Sequence, residues 1–303
     1  MKLHGLIAAT HTPFHTDGTI APESVSGYVE FLLKRKMDGL YVNGSTGEGI
    51  SMSVDERKTM LDVFFQEVNG RVPVVAQVGA NSLADAAALT AHAETVGVAA
   101  VSACAPSYFK VSSASTLVYC MTDIAAAAPK TPFYYYHIPR FTGVAIDMSR
   151  FLAEAQRKIP TFAGMKYTDM KVHEFQEIFE YDSRRLNVLW GTDEMLLSAL
   201  AAGAQGAVGS TYPLCSTIFR NVLDAWERHD IETARLWQRR SWEYVKILNR
   251  YGNLLAGQRI LMREFGIETG PCRLPLESMT EENGQKMIAD LRNIGYFDWE
   301  KTN

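Results

Sequence analysis

Short apolar runs rich in β-branched and aromatic residues alternate along this chain with longer segments of helical spacing, and no other property constrains its fold as much. A run with no polar face is buried on both sides, so it belongs in a parallel sheet covered by helices. The strand candidates are Leu6 to Thr12, Gly39 to Asn43, Val72 to Val78, Ala99 to Ala105, Pro132 to His137, Phe162 to Lys166, Leu186 to Trp190 and Gly206 to Gly209. Between them, helical spacing runs over Ser24 to Lys36, Val54 to Asn69, Leu83 to Val96, Ala114 to Ala127, Met148 to Arg157 and Met195 to Ala202. Ser53-Val54-Asp55-Glu56 is a capping box and Ser82 a further N-cap, which sharpens two of the helix starts. Eight such units predict a (β/α)8 TIM barrel over an open doubly wound sheet. A dinucleotide fold is disfavoured, because Gly44-Ser45-Thr46-Gly47-Glu48-Gly49 has the wrong spacing for G-x-G-x-x-G.

The 303 residues allow one large α/β domain or two, and a barrel of this kind fills such a length as one. Residues 1–215 are the expected barrel and catalytic core; residues 216–303 read as helices over Ser216 to His229, Ile231 to Asn249, Leu254 to Phe265 and Glu281 to Asn293, an extension packed on the barrel. A net charge of −4 gives no reason to expect nucleic acid or an anionic membrane as partner. Cys104, Cys120, Cys215 and Cys272 lie far apart with no C-x-x-C pair, as expected of reduced thiols, so neither a disulfide nor a zinc site is expected. The first residues lack the hydrophobic core of a signal peptide, and no apolar run reaches the ~18 residues of a membrane span. A cytoplasmic protein is expected.

Lys166 ends the sixth strand candidate, Phe162-Ala163-Gly164-Met165-Lys166. Lysine is almost never fully buried unless paired, and desolvation drives off its proton, leaving a nucleophilic amine that can condense with a ketone. Alone, the same residue reads as a strand-end lysine whose ammonium snorkels to water.

The residues around it decide between these readings. In such barrels sites form from the loops after the strands. Strand two is followed by Gly44-Ser45-Thr46-Gly47-Glu48, strand four by Pro106-Ser107-Tyr108, strand seven by Gly191-Thr192-Asp193-Glu194 and strand eight by Ser210-Thr211; strand five ends in Tyr134-Tyr135-Tyr136-His137 and strand six runs out into Tyr167-Thr168. The Ser45-Thr46 loop could hold a carboxylate on hydroxyls and backbone N–H groups, or be only a capped turn. Alternation puts Tyr134 and Tyr136 on one face and Tyr135 on the other, without saying which faces inward. Asp193 reads alone as an N-cap; with Glu194 it could also accept hydrogen bonds from sugar hydroxyls. The loop at Gly209-Ser210 reads as a tight turn rather than a phosphate site. His11 and His137 read as hydrogen-bonded structural histidines, and the histidines form no metal spacing.

Taken together, Gly44-Ser45-Thr46-Gly47-Glu48, Tyr136-His137-Ile138-Pro139, Lys166-Tyr167-Thr168 and Gly191-Thr192-Asp193-Glu194 resemble the pyruvate-dependent class I aldolases of the dihydrodipicolinate synthase and N-acetylneuraminate lyase superfamily, from about Leu3 through Leu276. The resemblance implies a homotetramer and reversible cleavage of sialic acid to N-acetylmannosamine and pyruvate, with no metal or organic cofactor. It implies that Lys166 forms the Schiff base, that Tyr136 shuttles the proton, and that Ser45 and Thr46 bind the carboxylate. Thr168, Gly191, Asp193, Glu194 and Ser210 would hold the sugar acid and its polyol tail. Tyr108 looks like the tyrosine that some members lend to a neighbouring subunit, although its surroundings differ. Dihydrodipicolinate synthases carry an arginine two residues after the proline of the tyrosine motif; here Phe141 stands there and Arg140 one place early, which favours the sialic-acid branch. The competing readings are an aldolase or dehydratase acting on a shorter keto-deoxy sugar acid, a dihydrodipicolinate synthase-type condensation, and a sugar-acid sensor without turnover.

Overall fold

A computed structural model describes residues 2–182 and 185–301; Met1 and Thr302–Asn303, the outer ends of the two expected segments, lie outside the described residues. Eight parallel strands close into a barrel in chain order: Gly5–Ala9 (β1), Gly39–Val42 (β2), Val74–Gln77 (β3), Ala100–Cys104 (β4), Phe133–His137 (β5), Phe162–Tyr167 (β6), Asn187–Trp190 (β7) and Gly206–Gly209 (β8). All eight fall on the expected runs. β1 is shorter than its run: a last ladder bond runs from Thr10 N–H to the Tyr41 carbonyl at 3.1 Å, and His11 and Thr12 lie beyond it.

The covering helices are Val25–Lys34 (α1), Val54–Val68 (α2), Leu83–Val96 (α3), Ala114–Ala125 (α4), a single turn at Pro139–Thr142 (α5), Met148–Lys158 (α6), Val172–Tyr181 (α7) and Leu196–Ala201 (α8). The capping box forms, with Ser53 accepting from Glu56 N–H while Glu56 accepts from Ser53 N–H, and Ser82 caps α3 through Asp85 N–H. α7 had no such signal to announce it, since Lys171 at its N-cap bonds no backbone group with its side chain.

Ser216–Glu227 (α9) follows β8 as each barrel helix follows its strand. Ile231–Tyr251 (α10) packs along α8 and α9, Leu254–Arg263 (α11) and Glu281–Asn293 (α12) pack on α10, and Tyr296–Trp299 (α13) closes the chain against α12. The carboxylate of Glu300 accepts from the N–H groups of Thr217 and Ile218 at 3.1 and 2.9 Å and pairs with Arg35 at 2.9 Å, which pins the end of the chain to the start of α9.

Two apolar cores result. The larger lies between strands and helices; the smaller fills the barrel and includes Ile7, Tyr41, Val75, Tyr134, Tyr136 and Leu189. Tyr134 and Tyr136 therefore face inward and Tyr135 outward. β6 carries an irregularity: against β5, Phe133 pairs with Phe162 but Tyr134 pairs with Gly164, so β6 holds one extra residue. Ala163 faces the barrel interior while Phe162, Met165 and Tyr167 face the helices. Strict alternation from Phe162 would have sent Lys166 outward; the extra residue reverses the parity and turns it into the barrel. Gly164 permits this, for a Cβ there would lie 1.9 Å from the Asn187 carbonyl oxygen.

Candidate active site

Lys166 is 5% exposed, and its amine lies 4.6 Å from the centre of the Tyr41 ring and 4.3 Å from that of Tyr136. Burial drives its pKa from 10.5 down to about 7, with the negative charge of Asp193 opposing the fall. Near neutral pH a large share of the side chain is thus free amine. The flanking π faces still stabilise the protonated form and, with it, a protonated imine.

Tyr136 places its hydroxyl 3.4 Å from Ser45 Oγ, so β5 and the loop after β2 meet at Lys166. Burial raises the phenol pKa, with the Ser45 contact acting against it, so the group stays protonated at neutral pH. Tyr41, at the second face of Lys166, donates to Ser102 Oγ at 3.0 Å and is held in place within the barrel.

The loop after β2 is tied down through its carbonyls. Gly49 N–H donates to Gly44, Glu48 N–H to Ser45, and the Thr12 hydroxyl to Gly47, at 3.1, 3.1 and 2.7 Å. Among the described residues no bond engages the N–H groups of Ser45 and Thr46 or the Thr46 hydroxyl. Those donors suit a carboxylate. Glu48, buried and in the left-handed region at φ 54, is held by Arg259 from α11 at 2.5 Å and by the Arg273 N–H at 2.7 Å.

Across the mouth, Asp193 does not cap a helix. The 3-10 turn Asp193–Met195 has no side-chain cap at its start, and α8 has none either. Asp193 Oδ2 instead reaches β8, accepting from Thr211 N–H at 2.9 Å and from the Thr211 hydroxyl at 2.7 Å. Gly209 makes room, since a Cβ there would lie 2.0 Å from Asp193 Oδ1. Burial and the neighbouring Glu194 raise the Asp193 carboxyl to about 6, against the pull of the Thr211 bonds. Gln238 on α10 donates to the Asp193 carbonyl at 3.3 Å, and Gln258 on α11 donates to the Ser210 carbonyl at 3.1 Å. Thr168 and Gly191 are in contact: a Cβ on Gly191 would lie 1.9 Å from the Thr168 hydroxyl, which is buried and without a partner among the described residues.

Strand ends thus bring every expected site residue to one end of the barrel. Arg140 and Phe141 lie on α5, with Phe141 64% exposed. Tyr108 is exposed and stacked edge-on against Phe109 in the loop after β4. His11 is buried and lies 3.4 Å from the Tyr28 hydroxyl, while His137 departs from the expectation: its ring is stacked on Tyr167, burial lowers it to about 4, and its Nδ1 is buried without a hydrogen bond. Sequence reasoning passed over Tyr41, Gln238, Gln258 and Arg259, and gave Thr211 a place at the mouth but no role. Only Tyr41 carried a usable signal, an inward parity on a strand beside the barrel mouth.

Residues 2–294 match the Dihydrodipicolinate synthetase family. The chain belongs to that family. It is 37% identical to mouse N-acetylneuraminate lyase over 97% of this chain and 93% of the relative, and 39% identical to N-acetylneuraminate lyase A of Xenopus laevis over 91% and 92%. Among solved structures, that of Proteus mirabilis N-acetylneuraminate lyase superposes with a TM-score of 0.94 at 33% identity, covering 98% of this chain and all of the other.

Proposed function

We propose that this chain is an N-acetylneuraminate lyase, a class I aldolase that cleaves sialic acid reversibly to N-acetylmannosamine and pyruvate. The observation that carries the reading is the buried amine of Lys166 between two tyrosine rings, in a chain aligned almost end to end with N-acetylneuraminate lyases. Lys166 adds to the keto carbon of the open-chain sugar acid, and loss of water gives a protonated imine. The hydroxyl beside the scissile bond loses its proton to Tyr136 as Tyr136 gives its own phenolic proton to the substrate carboxylate held beside it at Ser45, and the carbon–carbon bond breaks; the same path later returns that proton to the enamine carbon. The electron pair flows into the imine, N-acetylmannosamine leaves, and the enamine takes a proton on carbon before water releases pyruvate. The imine is the electron sink.

Ser45 and Thr46 take the carboxylate on donors with no competing internal bond, and Tyr136, tied to Ser45, stands beside it. Thr168, Gly191, Asp193, Glu194 and Ser210 form the side that receives the polyol, where carboxylates accept from hydroxyls. Thr211 takes only Oδ2 of Asp193, which leaves Oδ1 to accept from a substrate hydroxyl. The same reading includes a homotetramer in the cytoplasm, for which the exposed Tyr108, Phe109 and Phe141 supply apolar surface at the barrel mouth.

Borohydride added with pyruvate should fix a pyruvate-derived mass on Lys166, and N-acetylneuraminate should yield pyruvate in a coupled assay. Labelling elsewhere in an active sample, or trapping with pyruvate but no cleavage of sialic acid, would overturn the mechanism or the substrate respectively.

A further inference from the structure

The carboxyl-terminal extension reaches two loops of the mouth, those after β8 and β2, through two adjacent residues. Gln258 is fully buried on α11 and its carboxamide donates to the Ser210 carbonyl at 3.1 Å, on the side of β8 and Asp193. Arg259 is 3% exposed and spends its guanidinium on three acceptors: the Glu48 carboxylate at 2.5 Å, the Thr12 carbonyl at 3.0 Å, and the Thr269 carbonyl. Glu48 closes the loop that carries Ser45 and Thr46, and Thr12 holds the Gly47 carbonyl of that loop at 2.7 Å. One turn of one helix therefore grips the Ser45–Thr46 loop with one side chain and the Ser210 loop with the next.

We infer that Gln258 and Arg259 are positioning residues that divide the substrate between them: Arg259 sets the loop that receives the keto-acid end, and Gln258 sets the loop that receives the far end of the sugar acid. The inference rests on the lyase reading for the identity of the two ends. Successive residues on a helix point about 100° apart, and β8, β1 and β2 are consecutive in the barrel wall, so α11 can reach the loops on either side of β1 at once. A buried charge-assisted bond at Glu48 is among the stronger polar contacts, and its loss would free the loop that must hold a carboxylate still. A single neutral bond from Gln258 to a carbonyl is weaker, and of the two loops it bonds the backbone of the Ser210 loop alone.

The test separates the two ends with two ligands. Pyruvate reports the keto-acid end alone, through the concentration that half-saturates borohydride trapping on Lys166; N-acetylneuraminate reports both ends through KM. Arg259→Met should raise the half-saturating pyruvate concentration about tenfold or more and raise the KM for N-acetylneuraminate with it. Gln258→Leu should raise that KM by about fivefold to tenfold and leave pyruvate half-saturation unchanged. Should Arg259→Met fail to fold, Arg259→Lys carries the same arm with a smaller shift in the same direction, since a lysine cannot serve three acceptors. Equal shifts for both ligands in both variants, or no shift in either, would overturn the division. A wild-type protein that traps pyruvate yet leaves N-acetylneuraminate intact would instead overturn the lyase reading, and the pyruvate arm would still test Arg259.

Discussion

Replacing Lys166 by methionine should stabilise this protein, and by an amount that depends on pH. The amine lies in the barrel interior at 5% exposure, and burial lowers its pKa from 10.5 to about 7. Between those values the unfolded chain binds a proton that the folded chain has lost, so folded stability rises as pH rises through this window. Each tenfold in the proton equilibrium is worth ~1.36 kcal/mol, so the lysine costs the folded state about 4 kcal/mol at pH 7 and about 1.5 kcal/mol at pH 9.5. Methionine has a similar length, fits between the Tyr41 and Tyr136 rings, and carries no charge to desolvate. Lys166→Met should therefore exceed the wild type in stability at both pH values, with an advantage about 2–3 kcal/mol larger at pH 7. Urea unfolding at the two pH values measures this, and all other titrating groups cancel in the comparison. An advantage equal at both pH values to within about 1 kcal/mol would refute a neutral buried amine, and with it the account of how Lys166 becomes nucleophilic.

Imine formation with pyruvate should rise with pH through about 7 rather than near 10.5, and Asp193→Asn should move that inflection downward, because the aspartate charge holds the amine pKa up; stopped-flow trapping at several pH values reads both. Tyr136→Phe should reduce kcat for sialic acid cleavage by about a hundredfold or more while Lys166 is still trapped by pyruvate, as expected for loss of a proton relay rather than of the nucleophile; an unchanged kcat would remove Tyr136 from the chemistry. Gly191→Ala should displace the Thr168 hydroxyl, which a Cβ would meet at 1.9 Å, and raise KM for N-acetylneuraminate far more than it changes pyruvate half-saturation. Glu300→Ala should leave Arg35 buried and unpaired and lower stability by about 3–5 kcal/mol, measurable as a drop in urea midpoint with the slope unchanged.

The barrel was legible because each βα unit writes two local signals, an apolar run too short for a helix and a longer periodic segment after it. Ser53 with Glu56, and Ser82, marked helix starts in the sequence and act as caps in the structure. The geometry of the proposed site was legible where it depends on residue type at a strand end, as with the buried Lys166 and the Ser45-Thr46 loop beside it. It was not legible where function depends on who comes near. Asp193 read as a cap because caps are local, whereas its actual partner, Thr211, is 18 residues away in the loop after the next strand. Arg259 gave no signal at all, since its partner Glu48 lies 211 residues distant.

From the sequence alone came the number of strands, their order, the apolar segments that close the barrel, and a lysine where a buried strand ends. The tertiary structure decided which way that lysine points. Parity in a strand is a local rule, and β6 breaks it with one extra residue at Gly164, a bulge stabilised by the neighbouring strands and by a contact with the Asn187 carbonyl that only glycine allows. Burial, and so the lowered pKa of Lys166, follows from that turn inward and from the two tyrosine rings brought against the amine by β2 and β5. Such properties arise from packing between segments far apart in the chain, and no local pattern encodes them.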